Sequence, residues 1–193
     1  MQILIVYHSR LGSVQKMARL IARGVESVSS CNAVLRTVAE VSPEPIKDQI
    51  PESGDPFVEL ADLESCDGLI LGSPTRFGNM SASMKYFLDG TSKIWMSGGL
   101  VGKPAGVFTS SSSMHGGQES TLLSMMNPLL HHGMIICGIP YTEKALHKTS
   151  TGGTPYGASH VAGSSNNNPI SEHEKSLCIA LGKRVAELAI AID

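Results

Sequence analysis

The most informative segment of this chain is Gly68-Leu-Ile-Leu-Gly-Ser73, a continuous apolar run that ends at Pro74. Apolar residues without polar alternation are typical of a strand that is buried on both faces of a parallel sheet. This run therefore predicts a parallel sheet, and the flanking sequence contains the further strands and helices that such a sheet requires.

Upstream of this run, the sequence predicts strand, helix and strand in succession. Ile3 to Tyr7 is a short β-branched run, and apolar residues with helical spacing follow from Val14 to Val28. Ala33 to Val38 is a plausible second strand. The next segment, Ser42 to Pro56, contains four prolines and therefore predicts an irregular excursion.

Downstream, helices and strands continue to alternate. The predicted elements are a helix at Met80 to Leu88, a strand at Ala105 to Thr109, a helix at Gln118 to His132 and a strand at Met134 to Ile139. Thr149 to Asn168 is rich in Gly, Ser and Asn, and no strand is predicted there. A capping box, Ser171-x-x-Glu174, then predicts a last helix that reaches nearly to Asp193.

Five strands that alternate with helices predict an open, doubly wound α/β sheet with helices on both faces. The length of 193 residues fits one domain that spans residues 1–193. In such sheets, ligands bind beyond the carboxyl ends of the strands. Candidate site residues are therefore those directly after the first, third and fourth strands.

Composition and charge argue against several functional classes. The net charge of -2, with no basic stripe, makes nucleic-acid binding a poor prediction. The apolar run near the start, Ile3 to Val6, is too short for a signal peptide or a membrane span, so we expect a cytoplasmic protein. The four cysteines lie far apart without a Cys-x-x-Cys pair, which predicts buried thiols and no metal site.

The loop after the first strand, Ser9 to Val14, opens directly into a helix. A helix start offers free N–H groups and a partial positive charge to an anion, and Gly12 permits a tight turn. The hydroxyl groups of Ser9 and Ser13 are expected to add donors. This pattern favours a site for one phosphate group, although an ordinary capped helix remains an alternative.

The loops after the third and fourth strands also have features of ligand loops. Thr75, Arg76 and Phe77 are expected to present main-chain N–H groups to a planar heterocycle, the alternative being a tight turn with Phe77 in the core. The segment Thr109 to Gln118 combines five hydroxyl side chains with a Gly pair and is expected to wrap round a ligand or to form a flexible surface loop. Three such loops at adjacent strand ends indicate one shared site.

Several long motifs resemble the WrbA family of flavodoxin-like NAD(P)H:quinone oxidoreductases. They are Gly72-Ser-Pro-Thr-Arg-Phe-Gly-Asn-Met80, His115-Gly-Gly-Gln-Glu119, His131-His-Gly-Met134 and Gly152-Gly-Thr-Pro-Tyr-Gly-Ala158. The resemblance extends from Ile3 to the final helix. It implies a flavodoxin-like, three-layer fold with strand order 2-1-3-4-5, bound FMN, a homotetramer, and reduction of quinones by NADH or NADPH.

The resemblance also implies roles for individual residues. The FMN phosphate would lie on Ser9, Arg10, Leu11, Gly12, Ser13 and Val14, the flavin ring near Pro74, Thr75, Arg76, Phe77 and Gly78, and a closing loop would contain Ser110, Ser111, Ser112, Ser113, Gly116 and Gly117. His131 would line the flavin pocket and act in catalysis. Trp95, the only tryptophan, occupies the family position associated with substrate stacking.

Other classes of protein fit the sequence less well. A flavodoxin-type electron carrier would share the fold and FMN, but carriers usually show a strongly acidic face, and the net charge here is only -2. The family's historical name suggests a regulatory interaction protein, yet the sequence has no basic helix or low-complexity tail. A phosphoacceptor receiver domain needs clustered aspartates at the strand ends, whereas the third strand ends at Ser73-Pro74.

Overall fold

The computed structural model describes residues 1–42 and 54–192, and these residues form six strands and seven helices. The strands are β1 (Gln2–Tyr7), β2 (Asn32–Thr37), β3 (Gly68–Pro74), β4 (Pro104–Ser111), β5 (Ile135–Ile136) and β6 (Ala158–Val161). The helices are α1 (Ser13–Glu26), α2 (Leu60–Ser65), α3 (Ala82–Asp89), α4 (Ser92–Ser97), α5 (Gln118–His131), α6 (Lys144–Lys148) and α7 (Glu172–Ile192). The predicted excursion from Ser42 to Pro56 lies mostly outside the described residues.

All strand pairs in the sheet are parallel, and the order is β2-β1-β3-β4-β5. This order confirms the flavodoxin-like α/β fold. From β1 the chain passes to β2 at one edge of the sheet, and it then returns to form β3 on the other side of β1. The carboxyl ends of β1 and β3 therefore lie side by side at the point where the winding reverses, which is where such sheets bind ligands.

Helices cover both faces of the sheet, as the alternation of side chains along β1 shows. Ile3, Ile5 and Tyr7 pack in one buried cluster with residues of α1 and α7. Leu4 and Val6 pack in a second cluster with residues of α3 and α5. Because successive side chains of a strand point to opposite faces, this partition makes a three-layer structure with two cores.

The fifth strand position in the sheet is divided between two short strands. β5 pairs only with the start of β4, at Pro104 and Ala105, whereas β6 pairs with its end, from Phe108 to Ser111. The predicted strand from Met134 to Ile139 is therefore too long, and the strand at β6 was not predicted. After β5 the chain packs against the segment that leads into β6: the N–H of Ile139 donates to the carbonyl oxygen of Pro155 at 2.8 Å, and an added Cβ atom at Gly138 would lie 2.3 Å from that oxygen.

Candidate functional site

A cleft lies at the carboxyl ends of β1, β3 and β4. It encloses about 570 Å³ including its open mouth, which is within the range of roughly 300–1,000 Å³ for ligand pockets. Its lining residues are Ser9, Arg10, Leu11, Ser13, Val14, Pro74, Thr75, Arg76, Ser110, Ser111, Ser112, Ala162, Gly163, Ser164 and Asn166. The structure thus brings the three predicted ligand loops together around one cavity.

The loop between β1 and α1 is built as an anion site. Gly12 has φ +87°, a left-handed conformation that turns the chain directly into the helix at Ser13. Within residues 1–42 and 54–192, the main-chain N–H groups of residues 10–14 donate no hydrogen bond to the protein. Five unpaired donors at a helix start fit a phosphate group.

The two serine hydroxyls of this loop have different roles. The Oγ of Ser9 accepts a hydrogen bond from the main-chain N–H of Gln15 at 3.2 Å, so its own proton remains available to a ligand. The Oγ of Ser13 instead lies 3.0 Å from Oδ1 of Asn166, and it donates to that oxygen. In the described chain, the hydroxyl proton of Ser9 is therefore available to an anion, as predicted, whereas that of Ser13 is engaged by Asn166, contrary to the prediction; whether Ser9 binds an anion stays a prediction.

His8 precedes this loop and adds no positive charge to it. Its side chain is buried, and burial lowers the pKa of His8, an effect that Glu40, 3.3 Å away, only partly opposes. Within the part of the chain that the structure describes, Nδ1 of His8 has no hydrogen-bond partner. The cationic side chain that lines the cleft beside this loop is that of Arg10.

The loop after β3 forms a tight turn. Arg76 and Asn79 exchange main-chain hydrogen bonds of 2.8 and 3.0 Å, while Phe77 and Gly78 between them have φ +52° and +74°. The N–H of Thr75 donates to the carbonyl oxygen of Ser110. The prediction that Thr75, Arg76 and Phe77 present three free N–H groups is therefore wrong for Thr75 and Arg76. Within the described residues, the N–H groups of Phe77 and Gly78 are unpaired.

The side chain of Phe77 is fully exposed, so the alternative that placed it in the core is wrong. A positive φ is uncommon for a residue with a Cβ atom, and it directs this aromatic ring away from the sheet. The loop after β4 lies close by, since an added Cβ atom at Gly117 would be 2.7 Å from the Cα of Gly78. The two loops therefore form one continuous rim.

Seven residues of the predicted FMN set do not line the cleft in the described chain. They are Gly12, Phe77, Gly78, Ser113, Gly116, Gly117 and His131. All except His131 belong to the three loops that do line it. Ser113 lies on the rim, where its carbonyl oxygen accepts hydrogen bonds from the Ser111 hydroxyl and the Gly116 N–H.

Trp95 and His131 lie next to each other, and neither of them lines the cleft. The indole Nε1 of Trp95 donates to the main-chain carbonyl oxygen of His131. Trp95 belongs to α4, which ends at Gly98 with φ +70°, and about half of its side-chain surface is exposed. The imidazole of His131 is exposed and makes no hydrogen bond within the described residues, so it is free to contact a ligand.

The sequence of this chain is similar to those of known oxidoreductases. The model of the NADPH-dependent FMN reductase family matches residues 1–143. The chain belongs to this family. Two curated relatives named NAD(P)H dehydrogenase (quinone) match over nearly the whole chain. The one from Solidesulfovibrio magneticus is 44% identical and 97% of each chain is covered, and the one from Geobacter sulfurreducens is 43% identical and 100% of each chain is covered.

Solved structures agree with this family assignment. The crystal structure of the flavodoxin, WrbA-like protein from Agrobacterium tumefaciens has a TM-score of 0.70 at 25% identity, with 100% of this chain and 99% of that chain covered. An archaeal flavodoxin at 19% identity, with a TM-score of 0.66, shares the fold. The resemblance predicted from the motifs and the oxidoreductase class are thereby confirmed, and the family agrees with FMN as the cofactor.

Four residues of the cleft were missed by sequence reasoning in this FMN reductase family member. Ala162, Gly163, Ser164 and Asn166 follow β6 and form a further wall of the cleft. A local signal for a ligand loop was present, because Gly and polar residues follow Ala158, the last residue of the motif Gly152 to Ala158. The loop was missed because β6, the strand that precedes it, was not predicted.

Within residues 1–42 and 54–192, no group of three or more His, Cys, Asp and Glu side chains is arranged to hold a metal ion. No helix in those residues has the length and apolar character needed to cross a membrane. The cleft of the described chain therefore offers a ligand main-chain N–H groups, hydroxyls and the side chains of Arg10 and Arg76.

Proposed function

We propose that this chain is an FMN-dependent NAD(P)H:quinone oxidoreductase that reduces quinones to hydroquinones by two electrons. The observation that carries the proposal is the run of unpaired N–H groups at residues 10–14, at the start of α1 and on the wall of the cleft. These donors suit a phosphate ester, and the flanking loops suit the planar ring of a flavin. The names of the full-length relatives support both substrates.

The chain's own residues hold and orient the cofactor. Residues 10–14 and the Ser9 hydroxyl bind the phosphate group. The unpaired N–H groups of Phe77 and Gly78 donate to ring oxygens and stabilise the negative charge that develops there. The side chains of Arg10 and Arg76, both exposed beside the cleft, add positive charge to its mouth. FMN held by these residues would supply the hydride chemistry that links NADH or NADPH to a quinone.

Trp95 and His131 are proposed to hold the two substrates. The exposed indole forms one side of a flat slot in which nicotinamide and quinone stack in turn. The His131 side chain hydrogen-bonds a quinone oxygen as that oxygen gains charge, and donates a proton to it. Since one slot serves both substrates, the oxidised nucleotide leaves before the quinone enters, and the kinetics are ping-pong.

We further propose that the enzyme is a cytoplasmic homotetramer. Several large apolar side chains are exposed in the single chain, among them Phe77, Met96 and Leu130. Such exposure suits surfaces that other subunits cover. The four cysteines are all buried free thiols, which suits a reducing compartment.

An anaerobic titration tests the proposed function. The purified protein, loaded with FMN, should show a flavin absorption band that NADH or NADPH bleaches and that benzoquinone restores. A flavodoxin-type electron carrier would bind FMN but would not be bleached by either nucleotide. A protein that bound no FMN would contradict both functions.

A further inference from the structure

The loop after β6 contacts the loop at the start of α1 through one side chain. Nδ2 of Asn166 lies 3.0 Å from the carbonyl oxygen of Leu11, and Oδ1 of Asn166 lies 3.0 Å from Oγ of Ser13. Both halves of a single carboxamide are therefore used, and they bind the residues on either side of Gly12. The two loops are more than 150 residues apart in the sequence.

The direction of these two hydrogen bonds follows from the chemistry of the groups. A carbonyl oxygen only accepts, so the amide nitrogen of Asn166 must face Leu11. The amide oxygen then faces Ser13, and because an oxygen of this kind cannot donate, the Ser13 hydroxyl supplies the proton. Asn166 thus draws the only proton of Ser13 away from the cleft, and it leaves Ser9 as the hydroxyl donor of the loop.

The conformation of Asn166 is suited to this contact. Its φ is +53°, a left-handed conformation that asparagine tolerates better than most residues with a Cβ atom. The turn that contains it is closed by two main-chain bonds, from Asn166 to Gly163 at 3.1 Å and from Asn168 to Ala162 at 3.0 Å. The side chain is therefore presented by a turn that is already ordered.

The same turn is fixed to the rest of the protein at both ends. At its start, the N–H of Ala162 donates to the carbonyl oxygen of Ser111 in β4. At both ends, the buried carboxylate of Glu174 accepts from the N–H groups of Val161 and Ser171. Asn166 therefore connects a well-anchored turn to the loop at residues 10–14, whose own main-chain N–H groups have no partner in the described chain.

We propose that Asn166 is a positioning residue for the phosphate of FMN. It holds Leu11 and Ser13 on either side of Gly12, so that the unpaired N–H groups of residues 10–14 stay oriented toward the phosphate before FMN binds. Because no ordering of the loop is then required on binding, the affinity for the phosphate group rises. This inference rests on the proposed function, since it assumes that the loop binds FMN.

Affinities for FMN and riboflavin distinguish this role from a general structural one. Riboflavin carries the same ring and ribityl chain without the phosphate. Asn166→Gly keeps the left-handed backbone and removes the carboxamide, and it should weaken FMN binding to the apoprotein about 10- to 50-fold, the equivalent of two neutral hydrogen bonds. Riboflavin binding should stay within about twofold of the unsubstituted protein, because its contacts do not include this loop.

Two more variants complete the test. Asn167→Gly makes the same chemical change at the exposed neighbouring residue and should leave both affinities unchanged. Ser13→Ala should weaken FMN binding less than Asn166→Gly does, because it removes only one of the two hydrogen bonds that Asn166 makes to this loop. If Asn166→Gly does not fold, Asn166→Asp serves instead, since it loses the donor to Leu11 and adds a negative charge near the phosphate.

The possible outcomes separate the two proposals. Normal FMN binding by Asn166→Gly would overturn the role of Asn166 while leaving the proposed function intact. An equal loss of FMN and riboflavin would overturn it also, because it would show a general loss of structure. Failure of the unsubstituted protein to bind FMN would overturn the proposed function and the positioning role together.

Discussion

The indole Nε1 of Trp95 lies 2.9 Å from the carbonyl oxygen of His131 and donates a hydrogen bond to it. This bond joins α4 to the last residue of α5, although 36 residues separate the partners. It fixes the indole against the last residue of α5. The family resemblance assigned Trp95 to substrate stacking and His131 to the flavin pocket, and one direct contact holds these two residues together.

Trp95→Ala should lower quinone turnover far more than FMN content. Removal of the indole abolishes the flat wall of the proposed slot, where stacking contributes roughly 0.5–1.5 kcal/mol beyond area burial. The cofactor contacts come from other loops and remain. Trp95→Phe retains an aromatic wall but loses the bond to His131, so we expect it to keep most of the turnover. Steady-state kinetics and the flavin-to-protein ratio measure both quantities.

The opposite pattern would reassign Trp95. If Trp95→Ala lost FMN and the oligomer but kept normal turnover per bound flavin, the residue would serve assembly, and the slot would have to lie elsewhere.

His131→Ala should lower kcat for quinone reduction by about 100-fold or more, which is at the lower end of general acid catalysis. The bond to Trp95 uses the main-chain carbonyl of His131, so this substitution leaves the indole in place and reports on the imidazole alone. Single-turnover reoxidation by benzoquinone measures the step directly. Unchanged reoxidation would show that the side chain has no part in proton transfer.

The protein should bind FMN more tightly than FAD. One short phosphate loop, with unpaired N–H groups at residues 10–14, matches a single phosphate, and no second phosphate loop or ribose-binding carboxylate was found in the sequence. Isothermal titration calorimetry with both flavins measures the difference. Equal affinities would contradict the monophosphate interpretation of this loop.

Glu174→Gln should destabilise the protein at pH 7 by about 2–4 kcal/mol, because it leaves buried donors unpaired. The carboxylate is buried, and it accepts hydrogen bonds from Nδ1 of His160 and from the N–H groups of Gly152, Val161 and Ser171. Burial alone raises the pKa of Glu174, but these four bonds outweigh it and lower the pKa from 4.5 to about 2.

The pH dependence of this contribution has a definite sign. Since the pKa of Glu174 is lower in the folded protein, its stabilisation is complete above about pH 5 and is lost as the pH falls toward 2, a change of about 3 kcal/mol. Urea unfolding of both proteins between pH 7 and pH 2.5 should show this loss only with Glu174 present. Glu172→Gln, at an exposed position on the same helix, is the control.

The protein should be a tetramer in solution. Light scattering should give four times the chain mass of 20.4 kDa, or about 82 kDa. Met96 is 80% exposed in the single chain, so Met96→Glu should weaken the assembly if that side of the chain is covered by another subunit. A monomer with full FMN content and full activity would refute the tetramer.

The strands and the three loops that contain most of the cleft were predictable because their signal is local. The apolar run of β3 and the change from strand to helix spacing after Tyr7 are visible in single short windows. The missing parts depend on distant partners. β6 has only four residues, Ala158–Val161, and it is a strand because β4 offers an unpaired edge beyond Ala105.

Local sequence also failed to predict which main-chain N–H groups are paired, because the fold decides their partners. The pairing of Thr75 with Ser110 and of Arg76 with Asn79 removes two donors that the sequence alone suggests are free. Asn166 is one of three consecutive asparagines, and only its left-handed φ and its contact with Leu11 distinguish it from the others.

The division of the fifth strand position affects the order in which the protein matures during synthesis. The second half of β4 obtains its neighbour only when residues 158–161 leave the ribosome, and the last wall of the cleft follows at residues 162–166. A nascent chain that ends before this point has the phosphate loop without Asn166 and an open strand edge. A complete cleft for the cofactor is therefore expected only once residues 158–166 have joined the folded sheet.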